Sequence, residues 1–135
     1  MNKNKLNITI YSFGYLKSGI PADPTGNGGG FIFDCRGLPN PGRLERFKMK
    51  TGQHPNVIDY LEKADIVKVF IDHIYSLIQI TAENYVEREF TDLFTAFGCT
   101  GGQHRSVYCA EKIKSMLISA QYNIILKHID MPCYL

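Results

Sequence analysis

One stretch of this chain constrains its fold more than any other. Leu93 to Phe97 is a short apolar run, and Gly98-Cys99-Thr100-Gly101-Gly102-Gln103-His104-Arg105-Ser106 follows it directly. Beyond the glycines, Val107, Ala110, Ile113 and Leu117 recur at three- to four-residue spacing, with Glu111, Lys112 and Lys114 on the other face. A buried strand, a glycine loop and an amphipathic helix in that order form the half-unit of a layered α/β protein.

The remaining segments repeat the alternation. Leu6 to Phe13 is rich in strand formers and stops at Gly14, and Phe31-Ile32-Phe33 is a second short apolar run. That run delivers Asp34, Cys35 and Arg36 to a strand's carboxyl end, where ligands of open α/β sheets sit. Asn123 to Ile129 reads as a last strand. Helix signals begin after Pro55, and a longer helix follows in which Ile66, Phe70, Ile74, Leu77 and Ile78 form an apolar stripe. The expectation is one α/β domain, residues 1–135, with a mainly parallel sheet of about four strands flanked by helices. Between these elements, Pro21, Pro24 and the Gly26 to Gly30 region read as a flexible linker, since its glycines lack the Gly-Lys-Ser/Thr ending of a phosphate loop. Gly37 to Pro55, with Pro39, Pro41, Gly42 and Gly52, reads as an irregular loop.

Composition removes several classes. A chain of 135 residues with 44% hydrophobic and 21% charged content can close a core, so disorder and a membrane span have no support. Fifteen basic against 13 acidic residues leave a net charge of +2, too little for a dedicated nucleic-acid binder. Cys35, Cys99, Cys109 and Cys133 are scattered, which argues against a disulfide framework and against zinc, so no metal and no cofactor are expected. Met1 to Phe13 breaks its apolar run with Asn7 and Thr9 and makes a poor secretory signal, so a cytoplasmic location is expected.

The chemistry concentrates in the glycine loop. Amides in a helix's first turn have no partner within the helix, and the helix dipole adds partial positive charge there. Gly101 and Gly102 let the backbone approach a ligand, Thr100 and Ser106 add hydroxyls, and Arg105 adds a guanidinium fork suited to phosphate oxygens. Cys99, Thr100, Gly101, Gly102, Gln103, His104, Arg105 and Ser106 are therefore the candidate phosphate ligands. The spacing from Cys99 to Arg105-Ser106 is also similar to the Cys-x5-Arg-Ser/Thr loop of cysteine-dependent phosphatases. There a thiolate at a helix N-terminus attacks phosphorus, and Cys99 would be the catalytic residue. That chemistry needs a general acid, for which Asp34 and Asp130 are candidates by type alone.

Four blocks in order carry a family resemblance across nearly the whole chain. They are Ser12-Phe13-Gly14 with Gly19-Ile20-Pro21, Phe33-Asp34-Cys35-Arg36 with Leu38-Pro39-Asn40-Pro41, Thr51-Gly52, and Gly98-Cys99-Thr100-Gly101-Gly102 with His104-Arg105-Ser106-Val107. In these blocks the chain resembles the RapZ C-terminal domain. The resemblance implies a cytoplasmic regulatory domain, more a binder than an enzyme. It would take an amino-sugar phosphate or a nucleotide sugar at the cysteine-threonine-glycine loop, and bind small RNA for a ribonuclease. Arg36, Asn40, Arg43 and Arg46 are the accessory positions, the last two within a basic cluster with Lys48 and Lys50. Self-association is left open.

Three positions depart from the family. The nucleotide-binding domain that precedes this one in RapZ is not in the sequence, so nucleotide hydrolysis is not expected of these residues. Gly42 stands where a pocket histidine is common. The end, Asp130-Met131-Pro132-Cys133-Tyr134-Leu135, carries no basic tail for RNA.

Overall fold

The computed structural model describes residues 5–119 and 121–134, so the first four residues of the proposed non-signal segment and Leu135 lie outside it. Four strands form one sheet: β1 Leu6–Gly14, β2 Phe31–Asp34, β3 Asp92–Cys99 and β4 Tyr122–His128. Their order is β2-β3-β1-β4 and every pairing is parallel. Three helices follow the expected places: α1 Pro55–Glu62, α2 Asp65–Glu87 and α3 Arg105–Leu117. Pro55 opens α1, and the His54 ring nitrogen Nδ1 accepts the Asn56 amide at 3.1 Å as its cap.

Topology decides which face each connection covers. The crossovers β2 to β3, through α1 and α2, and β3 to β4, through α3, run the same way across the sheet. Their helices therefore share one face, packing Val67, Ile71, Ile74, Cys109 and Ile113 against Ile8, Ile10, Leu93 and Phe97. The connection from β1 to β2 runs the opposite way, so right-handedness sends it across the other face. There Gly30 lies against Phe94, the Asn27 amide donates to the Asp92 carbonyl at 3.0 Å, and Tyr15 packs edge-on against Phe13. The linker of the sequence reading is thus the cover for a second small core of Phe13, Phe94 and Ala96.

The α2 stripe departs from expectation in phase. Ile74 and Ile78 are buried as predicted, but the remaining core positions are Val67, Ile71 and Ala82, while Ile66 and Leu77 face outward. The reason lies in α2 itself, which carries apolar residues on two adjacent stripes. A 3.6-residue period fits both, and only the sheet beneath selects one. Among the described residues no helix is long and apolar enough to cross a membrane.

Candidate functional site

The carboxyl ends of β1, β2 and β3 converge on the turn between β3 and α3. Gly102 there takes φ +73°, a left-handed conformation in which side chains are strained. Its backbone also presses on β1, since a Cβ would come within 2.7 Å of the Gly14 nitrogen and 2.8 Å of the Asp130 Cβ. On the far side of the turn, a Cβ at Gly52 would overlap the His104 carbonyl and the Tyr108 amide, so Thr51-Gly52 backs directly onto the first turn of α3.

Four of the loop's carbonyls are occupied. Cys99 O accepts from the Tyr15 amide at 2.8 Å, Thr100 O from Leu16 at 3.1 Å, Gln103 O from Gly52 at 2.9 Å and His104 O from Tyr108 at 2.9 Å. Its amides are not: among the described residues, no hydrogen bond outside the regular elements uses a main-chain N–H from Thr100 to Val107. The α3 N-terminus likewise has no side-chain cap and no acidic residue in its first turn. Open donors at a helix N-terminus suit an anion.

The candidate side chains divide into those that face this space and those that brace it. Gln103 donates through Nε2 to the carbonyls of Lys48 and Lys50, both at 2.8 Å, and His104 Nε2 lies 2.9 Å from the Phe47 carbonyl. A carbonyl can only accept, so this contact puts a proton on Nε2 of His104. These two side chains fasten the loop to residues 47–50, and what they leave to a ligand is their amides. Cys99 is buried and its thiol donates to the Ser106 hydroxyl at 3.1 Å. Arg105 is 6% exposed, donates through NH1 to Arg36 O at 2.9 Å and Leu38 O at 3.2 Å, and reaches toward Thr100 Oγ1 at 3.5 Å. Among the described residues it makes no ion pair, which is unusual for a buried guanidinium.

A two-lobed cleft opens beside these groups. The smaller lobe, about 370 Å³, is lined by Cys99, Thr100, Gly101, Gln103 and His104, with Gly42 and Lys48 opposite. The larger, about 740 Å³, lies between Arg36, Arg43, Leu44, Tyr60 and Ile66. Asn40, Thr100 and Arg105 line both, so the lobes adjoin. Arg36, Asn40 and Arg43 thus join the loop as the sequence suggests. Arg46 does not line either lobe, since its guanidinium stacks over Phe47 at 4.6 Å. Sequence reasoning missed Tyr60 and Ile66, whose only signal was helical, and missed the position of Lys48, named only as part of a basic run.

The two acid candidates are both held as anions. Arg36 grips Asp34 through two nitrogens, at 2.9 and 2.7 Å, and this hydrogen bonding keeps the Asp34 carboxyl below its ordinary range. Burial works to raise Asp130, but hydrogen bonds from the Ser18 hydroxyl and the Gly14 and Ser18 amides prevail and hold it low. Cys35 is an unreactive thiol, pushed well up by its hydrogen bond to Cys109 and by complete burial.

The model of the RapZ C-terminal domain matches residues 6–132. A protein of Acidobacterium capsulatum named "Nucleotide-binding protein" is 39% identical over 131 residues, 97% of this chain and 41% of its own length. Proteins with the same name from Caldicellulosiruptor bescii and Fervidobacterium nodosum are 38% and 36% identical, over 96% and 92% of this chain. The chain spans 43% and 42% of those two relatives, well under half of each. By a match that covers nearly all of its residues, the chain belongs to the RapZ C-terminal domain family.

Proposed function

We propose that this chain is a regulatory domain that binds a phosphorylated metabolite, an amino-sugar phosphate or a nucleotide sugar, at the loop from Cys99 to Ser106. One observation carries the reading: among the described residues, a row of main-chain donors without protein acceptors lies beside a buried guanidinium that makes no ion pair. A phosphate satisfies both at once. Thr100, Gly101, Gly102, Gln103 and His104 contribute amides, Arg105 its charge, and Arg36, Asn40 and Arg43 line the adjoining space. The printed names of the relatives, which speak of nucleotide binding, support a ligand of this kind. The domain acts in the cytoplasm.

The test is thermal unfolding with sugar phosphates and nucleotide sugars. A ligand at a hundred times its dissociation constant adds about 2.7 kcal/mol to stability. The shift should vanish in Arg105→Ala. No shift in the wild type, or an equal shift in the variant, sinks the reading. An RNA-adapter role for this chain extends it, supported here by the exposed basic side chains of Arg43, Arg46 and Lys48. RNA affinity should then fall steeply with salt.

Cysteine phosphatase chemistry is the second reading, favoured by the 3.1 Å contact between Cys99 and Ser106. Against it stand Asp34 and Asp130, neither of which holds a proton to give a leaving group. Hydrolysis of an aryl phosphate that is lost in Cys99→Ser would promote it over metabolite binding.

A further inference from the structure

The side of α2 turned away from the sheet carries its own apolar stripe. Ile66, Val69, Leu77 and Ile80 stand 55, 46, 48 and 67% exposed, and His73 is exposed among them. At 3.6 residues per turn these five positions fall within about 80° of the helix circumference and run about 21 Å along it. Single exposed aliphatic side chains are ordinary, but a stripe of this length on one face marks a contact surface.

The spacing of the stripe points to what covers it. Its steps are three, four, four and three residues, so it reads the same from either end, with His73 at its centre. Such a palindrome fits a second copy of itself laid antiparallel about a two-fold axis. Ile66 then comes level with Ile80 of the second copy, Val69 with its Leu77, and His73 with its His73. Charge agrees with that register. Asp65 comes level with Thr81, Lys68 with Ile78, Asp72 with Ile74, and Glu83 with Lys63, so no two like charges meet.

We infer that α2 pairs antiparallel with α2 of a second copy of this chain, about a two-fold axis at His73, and that the domain is a homodimer through this face. Within the stripe Ile66 alone borders the cleft. Leu77 and Ile80 line neither lobe, so the contact can be broken without touching the proposed phosphate site.

Sedimentation equilibrium of the full chain tests this. At about 100 µM, above the micromolar constants of small interfaces, the wild type should have twice the chain mass of 15.3 kDa. Ile80→Glu should raise the dimer Kd by about tenfold or more, whereas Ile125→Glu, at a half-exposed position on β4, should leave it unchanged. Both positions are exposed, and an unchanged circular dichroism spectrum and unfolding temperature of the monomer are the control. Register is read by crosslinking in a Cys133→Ser background. There His73→Cys should form a disulfide between copies on oxidation with diamide, because facing helices about 8–10 Å apart bring inward Cα atoms within disulfide range. Lys68→Cys, on the far flank, should not. A wild type that stays monomeric overturns the inference and leaves the stripe to a different chain. So does a dimer that survives Ile80→Glu, or one that crosslinks through Lys68→Cys and not through His73→Cys.

Discussion

At the carboxyl end of β1, the Gly14 amide, the Ser18 amide and the Ser18 hydroxyl all point at one carboxylate, that of Asp130, at 2.8, 3.3 and 2.5 Å. Across the tight contact between Gly14 and Gly102, the amides of Thr100 to Val107 meet no acceptor among the described residues. The two donor clusters are neighbours, and the chain fills one with its own side chain. The difference teaches that a carboxylate can be placed at this sheet end when stability alone is served. Leaving the second cluster without one, next to a buried cation, is what the proposed anion site requires.

The sharpest way to break this comparison is Arg105→Ala. It leaves the Arg36 and Leu38 carbonyls without their donor, and should cost about 2–4 kcal/mol in urea unfolding as well as the phosphate response. Retained phosphate stabilisation in this variant would count against the site as proposed.

Gly102→Ala comes next. Strained φ and contacts under 3 Å with backbone should cost about 2 kcal/mol or more. By contrast, a Cβ at Gly101 meets nothing within 4 Å, so Gly101→Ala should stay within about 0.5 kcal/mol of the wild type while weakening phosphate binding. Measuring both together separates the structural glycine from the one that leaves room for a ligand.

Asp130→Ala tests the filled cluster, with an expected loss of about 1–3 kcal/mol at neutral pH and unchanged phosphate affinity. Its pH dependence has a definite sign. Because the folded carboxyl is held below its ordinary value of about 3.9, its contribution is whole above that value and is lost as pH falls through the lower folded one. Acid titrations of stability should therefore be flatter below about pH 4 in the variant. A smaller effect, about 1 kcal/mol, is expected for Gln103→Ala, which releases the loop from the Lys48 and Lys50 carbonyls.

Much of this was legible in the chain. Strand positions followed from the apolar runs, and the glycine loop announced itself by residue type. The phase of α2 was not legible, because Ile66 and Leu77 are as apolar as Val67 and Ile71. Nor was the division of labour within the loop. Gln103 and His104 read as ligands until residues 47–50 supply carbonyls for their side chains, and that contact spans 55 and 57 residues of sequence.

Residue order thus determined by itself a parallel α/β arrangement with a donor-rich turn before α3, since local periodicity and glycine placement are properties of neighbouring residues. Tertiary structure alone decided which donors remain free, that Asp130 belongs to β1 rather than to the loop, and that Arg43 shares a cleft with Arg105. Those outcomes depend on which distant carbonyls and carboxylates arrive within hydrogen-bond reach, and a parallel sheet brings them together only when its crossovers close.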